Sequence, residues 1–290
     1  MNDVGFIGLG IMGRPMAANL LRAGNKLVLH SRSGVPDDLK ALGGASASSP
    51  AAVAAGADVV ITMLPDTPDV EAVLFGPDGV AAALRPGAIV MDMSSISPIA
   101  TREFAHRVVE KGGAYVDAPV SGGEIGAREA TLTIMVGGKE ESCRSIWPLL
   151  EAMGRSVTRI GDVGAGQTAK VANQIVVALT LQAVSEGLTF AARSGVDPAV
   201  VREALLGGFA GSRVLDVHGR RMIERTFTPG FRIKLHRKDL DLALSTARSL
   251  NQSLPATALV QQLFAACAGN GLGDADHSAL VRATELLGGS

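Results

Sequence analysis

The chain has 290 residues, 47% of them hydrophobic, with 27 basic against 28 acidic side chains and a formal net charge of −1. That balance excludes the field that would gather nucleic acid or an anionic membrane around the molecule. The apolar fraction excludes a disordered chain, and 8 Phe, 1 Tyr and 1 Trp are too few for a base-stacking platform.

From the N-terminus, short apolar runs alternate with helical patterns, which predicts βαβ units on a parallel sheet. Strands are predicted at Val4–Ile7, Lys26–His30, Val59–Met63, Ala88–Asp92 and Ala114–Asp117, with Thr131–Val136 later in the same sheet. Helices are predicted at Gly13–Ala23, Pro50–Ala55, Asp69–Phe75 and Ile99–Lys111. After Gly161 the strand signals stop. One long helix is predicted over Gly164–Arg193, then shorter ones at Asp197–Leu206, Arg213–Arg225, Lys238–Leu250, Pro255–Gly269 and Ser278–Leu287. The expected fold is α/β: a Rossmann dinucleotide-binding domain over residues 1–162, then an all-α domain over 163–290.

Cys143 and Cys267 belong to no CxxC or Cys/His cluster, so neither a disulfide framework nor a cysteine zinc site is expected. The five histidines show no metal spacing; surface or capping roles are expected, with His236 and His277 singled out because each adjoins a motif named below. No basic region followed by an apolar signal core opens the chain. The uncharged stretch Ser249–Gly273 is interrupted by Asn251, Gln252, Pro255, Gln261 and Gln262, so no membrane span is expected there. A soluble, cytoplasmic protein follows as the expectation.

The segment Val4-Gly-Phe-Ile-Gly-Leu-Gly-Ile-Met-Gly13 places GxGxxG between the first strand and the first helix. Gly8 permits the tight turn, Gly10 lets a pyrophosphate approach the backbone, and Gly13 lets helix and strand pack closely. Unpaired N–H groups at the helix N-terminus then face the phosphates. The second strand ends in His30-Ser31-Arg32-Ser33, where an NAD-binding fold usually carries an acid for the ribose 2′-hydroxyl. Two hydroxyls flanking an arginine suit a 2′-phosphate instead, which points to NADPH ahead of NADH.

Hydride transfer to a carbonyl needs a proton donor. The Tyr-x-x-x-Lys route is closed, because Tyr115 is the only tyrosine and position 119 is Pro. The long helix offers Lys170, with Asn173 three residues on and therefore on the same face. Its neighbours Val171, Ala172, Ile175, Val176 and Val177 are apolar, and partial desolvation eases proton loss from a lysine. A Ser121-Gly122-Gly123 turn after the strand ending at Asp117 offers a hydroxyl and successive N–H groups, suited to a carboxylate or serving as an ordinary turn.

Four stretches in order, GFIGLGIMGRPMAANL (5–20), DAPVSGG (117–123), GAGQTAKVAN (164–173) and KDL (238–240), resemble the β-hydroxyacid dehydrogenase family from end to end. Further stretches, ITMLP (61–65), DMSS (92–95), NQIVVAL (173–179), GFRIKLH (230–236) and DHSAL (276–280), are similar to its tartronate semialdehyde reductase branch. Gln174 stands where the hydroxyisobutyrate branch has a second asparagine.

The resemblance implies a Rossmann domain and a helical domain joined through a long helix, assembled as a homodimer or homotetramer. It implies NADPH-dependent reduction of tartronate semialdehyde to D-glycerate, with Lys170 as general acid and base and Asn173 orienting the substrate oxygen. Ser121, Gly122 and Gly123, with Asn173 and Gln174, would hold the substrate carboxylate and its neighbours. Gly8, Leu9, Gly10, Ile11, Met12 and Gly13, Ser31, Arg32 and Ser33, Met63, Leu64 and Pro65, then Ser95, Lys238 and Asp239 would lie along the cofactor. From the bare sequence, Ser95 could simply cap the helix that begins near Ile99, and a solvated basic face is the usual explanation for Lys238. Oxidation of 3-hydroxyisobutyrate or another short β-hydroxy acid is the second enzymatic reading. A catalytically silent NADP-binding scaffold is the non-enzymatic one.

Overall fold

The computed structural model describes residues 3–289. Two compact units divide the chain, Met1–Lys170 and Val171–Ser290.

In the first unit the elements run β1 (Val4–Ile7), α1 (Gly13–Arg22), β2 (Leu27–His30), α2 (Asp37–Ala41), β3 (Ala45–Ser46), α3 (Pro50–Ala54), β4 (Val59–Thr62) and α4 (Thr67–Phe75). Then follow β5 (Ile89–Asp92), α5 (Pro98–Glu110), β6 (Ala114–Asp117), β7 (Val120–Ser121), α6 (Gly123–Arg128), β8 (Leu132–Gly137), α7 (Glu140–Glu151) and β9 (Gly154–Gly161). One sheet takes the order β3-β2-β1-β4-β5-β6-β8-β7, with β9 paired to β8. The pairs from β3 through β6 are parallel, as the alternating pattern predicts.

Beyond β6 the sheet is mixed, because β8 runs antiparallel to β6 and to β7 while β9 lies parallel to β8. The strands read as unbroken apolar runs because both faces are covered. Val4, Phe6, Val59, Ile61 and Met91 point into one core layer with Met16, Leu20, Ile146 and Leu150. Trp147, partly buried on α7, packs at the edge of that layer. Ile7, Val60 and Val90 point the other way, into a layer with Val53, Val70, Leu74 and Phe104.

The long helix α8 (Ala165–Arg193) contains the division between the units, at Lys170 and Val171. By length and composition it is apolar enough to cross a membrane. Its residues Ala178, Leu181, Val184 and Leu188, at helical spacing, belong to the core of the second unit. That core also takes Met222, Ile233, Leu240, Val260, Phe264 and Leu280. The helices there are α9 (Pro198–Leu206), α10 (Arg220–Glu224), α11 (Ile233–Ser249), α12 (Pro255–Cys267) and α13 (Val281–Leu287).

Several elements differ in detail from expectation. The helix expected at Arg213–Arg225 forms over 213–224, with a π turn, Leu215–Gly219, inside it and α10 as its last part. Helix α11 starts five residues before Lys238, so Lys238 and Asp239 lie in its second turn rather than at its start. Helix α5 begins at Pro98, and its cap is Ser97, whose Oγ accepts from the N–H groups of Ile99 and Ala100; Ser95 is not the cap.

Candidate active site

The sheet order reverses at β1, which pairs with β2 on one side and β4 on the other. In such sheets ligands bind beyond the carboxyl ends of the strands at this switch point. The sequence-predicted cofactor residues Gly8–Gly13 and Met63–Pro65 leave β1 and β4 there. Backbone bonds hold the ends in step: Gly8 N donates to His30 O, Met63 N to Ile7 O, and Met93 N to Thr62 O. Leu64 N donates to Ser94 Oγ at 2.9 Å, which joins the loop after β4 to the Ser94–Ser95 loop after β5.

The three motif glycines meet different surroundings. Gly8 has φ of +99°, and a Cβ there would lie 2.3 Å from Met63 O. At Gly13 a Cβ would lie 1.9 Å from Gly8 O, so helix and turn touch through bare backbone. At Gly10 nothing lies within 4 Å of the added atom. An exposed backbone with free space above it, beside the N-terminus of α1, is a cradle that fits a pyrophosphate. Ile11 is exposed and Leu9 is buried in the core, so of the two only Ile11 has its side chain at the open face.

At the end of β2, Ser31 Oγ and Ser33 Oγ are 3.3 Å apart. Arg32 is 86% exposed, and its Nη2 lies 3.6 Å from Asp69 Oδ1. A guanidinium this open, between two hydroxyls, fits a 2′-phosphate.

The start of α8 is built into the first unit by Asp117 at the end of β6. Asp117 Oδ1 accepts from Gly164 N at 2.7 Å, and Oδ2 from Gln167 N at 2.8 Å. Gln167 is fully buried; its Oε1 accepts from Ile96 N and its Nε2 donates to Ser94 O. Burial pushes the Asp117 carboxyl up to about 6, against the opposing help of those two N–H groups. Neighbouring Asp92 is also raised, by burial, although Ser94, Thr62 and Tyr115 all hydrogen-bond to it. These acids and Gln167 are missed by motif reading. The available signal was an acid ending each of two adjacent apolar strands.

Lys170 follows on the second turn of α8, only 7% exposed, in the desolvated setting its apolar neighbours predict. Ser121 ends β7, in register with Thr133 of β8, and Gly122 and Gly123 open α6 with φ of +135° and +61°. A side chain is disfavoured at either glycine, which leaves their N–H groups unshielded.

In the second unit the structure brings four predicted residues into one hydrogen-bonded group. Asn173 Nδ2 donates to Gln174 Oε1 at 2.8 Å, and Gln174 Nε2 donates to Asp239 Oδ2 at 2.6 Å. Lys238 Nζ lies 3.0 Å from Asp239 Oδ1, and its side chain is 18% exposed. The solvated basic face that the bare sequence allowed for Lys238 is therefore not what forms; a buried acid draws the ammonium in.

Nor are His236 and His277 surface or capping residues. Both are buried, and with half-buried His218 they form a contiguous set of imidazoles. A groove of about 750 Å³ also opens in this unit, lined by Arg193, Arg225, Arg282 and Glu285 among others, and it holds none of the predicted site residues.

A parallel sheet in Rossmann order, a glycine cradle at its switch point and a buried lysine on the helix that follows define a nicotinamide-dependent oxidoreductase. Comparison with known proteins agrees. Residues 3–161 match the NAD binding domain of 6-phosphogluconate dehydrogenase, and residues 164–284 the NAD-binding model of NADP-dependent 3-hydroxyisobutyrate dehydrogenase. The chain is 56% identical to 2-hydroxy-3-oxopropionate reductase of Escherichia coli (strain K12), over 98% of its own length and 97% of that protein. Among solved structures, the 3-hydroxyisobutyrate dehydrogenase of Mycobacterium tuberculosis with L-serine superposes with a TM-score of 0.88 at 34% identity, covering 97% and 98% of the two chains. A structure described as Psf3 in complex with NADP+ and 2-OPP gives a TM-score of 0.86 at 27% identity, covering 96% and 99%. The chain belongs to the β-hydroxyacid dehydrogenase family, and it is an NAD(P)-dependent enzyme.

Proposed function

We propose that this chain reduces tartronate semialdehyde (2-hydroxy-3-oxopropionate) to D-glycerate with NADPH, as a cytoplasmic homodimer or homotetramer. The observation that carries the choice of substrate is the end-to-end 56% identity to a 2-hydroxy-3-oxopropionate reductase. We divide the roles between a nucleotide domain, 1–162, and a substrate and assembly domain, 163–290.

NADPH, when bound, supplies the hydride. Gly8, Leu9, Gly10, Ile11, Met12 and Gly13 wrap the pyrophosphate with backbone N–H groups, and Ser31, Arg32 and Ser33 hold the 2′-phosphate. Met63, Leu64, Pro65 and Ser95 line the cofactor from the adjacent strand ends, and Lys238 and Asp239 serve its nicotinamide side. The hydroxyl of Ser121 and the N–H groups of Gly122 and Gly123 take the substrate carboxylate. Asn173, tied to Gln174, donates to the substrate oxygen and fixes its direction. As the aldehyde carbon gains a hydride, its oxygen gains a proton from Lys170 Nζ, and the alcohol leaves neutral.

The test follows NADPH absorbance with tartronate semialdehyde for wild type and Lys170→Ala. General acid catalysis of this kind contributes roughly 10²–10⁴-fold, so kcat should fall by that factor while NADPH affinity holds. Equal rates would remove Lys170 from the mechanism, and an inactive wild type would remove the substrate.

A further inference from the structure

The buried imidazoles of the second unit make a chain with a defined direction. His236 Nε2 lies 3.1 Å from the carbonyl oxygen of Gln174, His236 Nδ1 lies 2.9 Å from His277 Nδ1, and His277 Nε2 lies 3.2 Å from His218 Nε2. His218 Nδ1, buried and without a hydrogen bond, faces Asp276 Oδ1 at 3.7 Å. A carbonyl only accepts, so His236 must carry its proton on Nε2. Its Nδ1 is then a lone pair, and His277 must donate from Nδ1. His277 Nε2 then accepts, and His218 donates from Nε2. One carbonyl thus sets the tautomer of two rings and the donor of a third.

Three hydrogen bonds need three protons, and three neutral imidazoles carry them. A further proton is kept off His277, where burial first, then the neighbouring His236 and His218, depress protonation, with Arg221 acting in the same sense and Asp276 against it. Asp276 Oδ2 already accepts from Gly230 N, Phe231 N and Arg221 Nη1, and Oδ1 from Ser278 N and Oγ. A carboxylate so engaged has little capacity left for a metal ion, although His218, Asp276 and His277 sit close enough to hold one. The rings of Phe231 and Phe264 pack against the imidazoles and shield them from water.

We infer that His236, His277 and His218 are positioning residues: a one-directional hydrogen-bond relay that runs to the Gln174 carbonyl from His218, which faces the Asp276–Arg221 ion pair. Gln174 is the residue whose side chain links Asn173 to Asp239. A fixed carbonyl therefore fixes the register of the group that orients substrate and cofactor. The effect on turnover presupposes the reductase activity proposed above, whereas the tautomers follow from geometry alone.

The experiment is long-range ¹H–¹⁵N NMR of the histidine rings in the full-length protein, paired with kinetics of His236→Phe and His236→Gln. His236 should appear as the Nε2–H tautomer, His277 as neutral Nδ1–H, and His218 with a proton on Nε2. His277 found as Nε2–H, or as the charged imidazolium, overturns the relay. Glutamine keeps an N–H where Nε2 stood, so H236Q should retain most activity while H236F loses about tenfold in kcat, the worth of one positioning hydrogen bond, at unchanged KM for NADPH. Wild-type kcat in H236F, or an equal loss in H236Q, refutes the positioning role. An inactive wild type with the expected tautomers refutes the substrate assignment and leaves the relay standing on its spectrum.

Discussion

A methyl group added at Gly13 or at Gly10 should harm different properties, although the two glycines share one turn. At Gly13 the new carbon falls 1.9 Å from Gly8 O and 3.2 Å from the Phe6 ring. Ordinary contact begins near 3.4 Å, so the carbonyl must yield by about 1.5 Å. Gly8 is itself confined, since a Cβ at its own position would lie 2.3 Å from Met63 O. Overpacking against backbone costs about 1–3 kcal/mol. For units of this size that is a fall in Tm of roughly 3–10 °C without cofactor. Gly10→Ala meets no atom within 4 Å and needs no unusual φ, so its Tm should stay within about 1 °C of wild type. Its methyl instead fills the space through which the pyrophosphate approaches. Losing one charge-assisted backbone bond should weaken NADPH at least about tenfold. Thermal melts of the apo protein and titrations of NADPH fluorescence measure the two effects separately. If Gly10→Ala binds NADPH as wild type does, or if both alanines lower Tm alike, the division of labour among the glycines is wrong.

Three further outcomes are expected. Arg32→Ala should raise KM for NADPH about tenfold and leave NADH within twofold, because only the former loses a charged partner; equal changes would refute the 2′-phosphate assignment. Asp117 and Asp276 should give opposite pH signatures in denaturant titrations. The folded pKa of Asp117 is raised to about 6, so its contribution is fully present below pH ~4 and is lost as pH rises through about 6; the wild type minus Asp117→Asn difference should shrink by about 3 kcal/mol over that window. Burial alone would raise Asp276, but the neighbouring imidazoles of His218 and His277 and the Ser278 donors hold it well below the ordinary carboxylate range. Its contribution is therefore present above pH ~4 and is lost as pH falls below it, so the wild type minus Asp276→Asn difference should shrink on acidification.

The nucleotide half was legible because its signals are local. A glycine turn between an apolar run and a helix needs no distant partner to be read, and Ser31-Arg32-Ser33 lies directly after its strand. The start of α8 was legible for the same reason. Strand β9 was not predicted, because most of its side chains are exposed and Arg155 and Arg159 break the apolar pattern. Helix α7 was passed over too, with Glu140 and Glu141 at its start and Pro148 inside it. The antiparallel turn of the sheet at β8 depends on register, which no short window contains. In the site, Lys238 was placed along the cofactor by the resemblance, whereas its basic neighbours alone favoured a solvated face; its ammonium lies against Asp239. His218, His236 and His277 lie 18 and 41 residues apart in sequence, and only tertiary packing aligns their rings.

The scarcity of aromatic residues has a practical consequence. Trp147 on α7, whose indole N–H donates to Glu151, and Tyr115 on β6 are the chain's only indole and phenol, and both belong to the first unit. Intrinsic emission is therefore blind to the helical half, whereas far-ultraviolet circular dichroism reports on helices in both. Should the halves melt separately, the two probes will return two midpoints, and agreement between them becomes a direct measure of cooperativity.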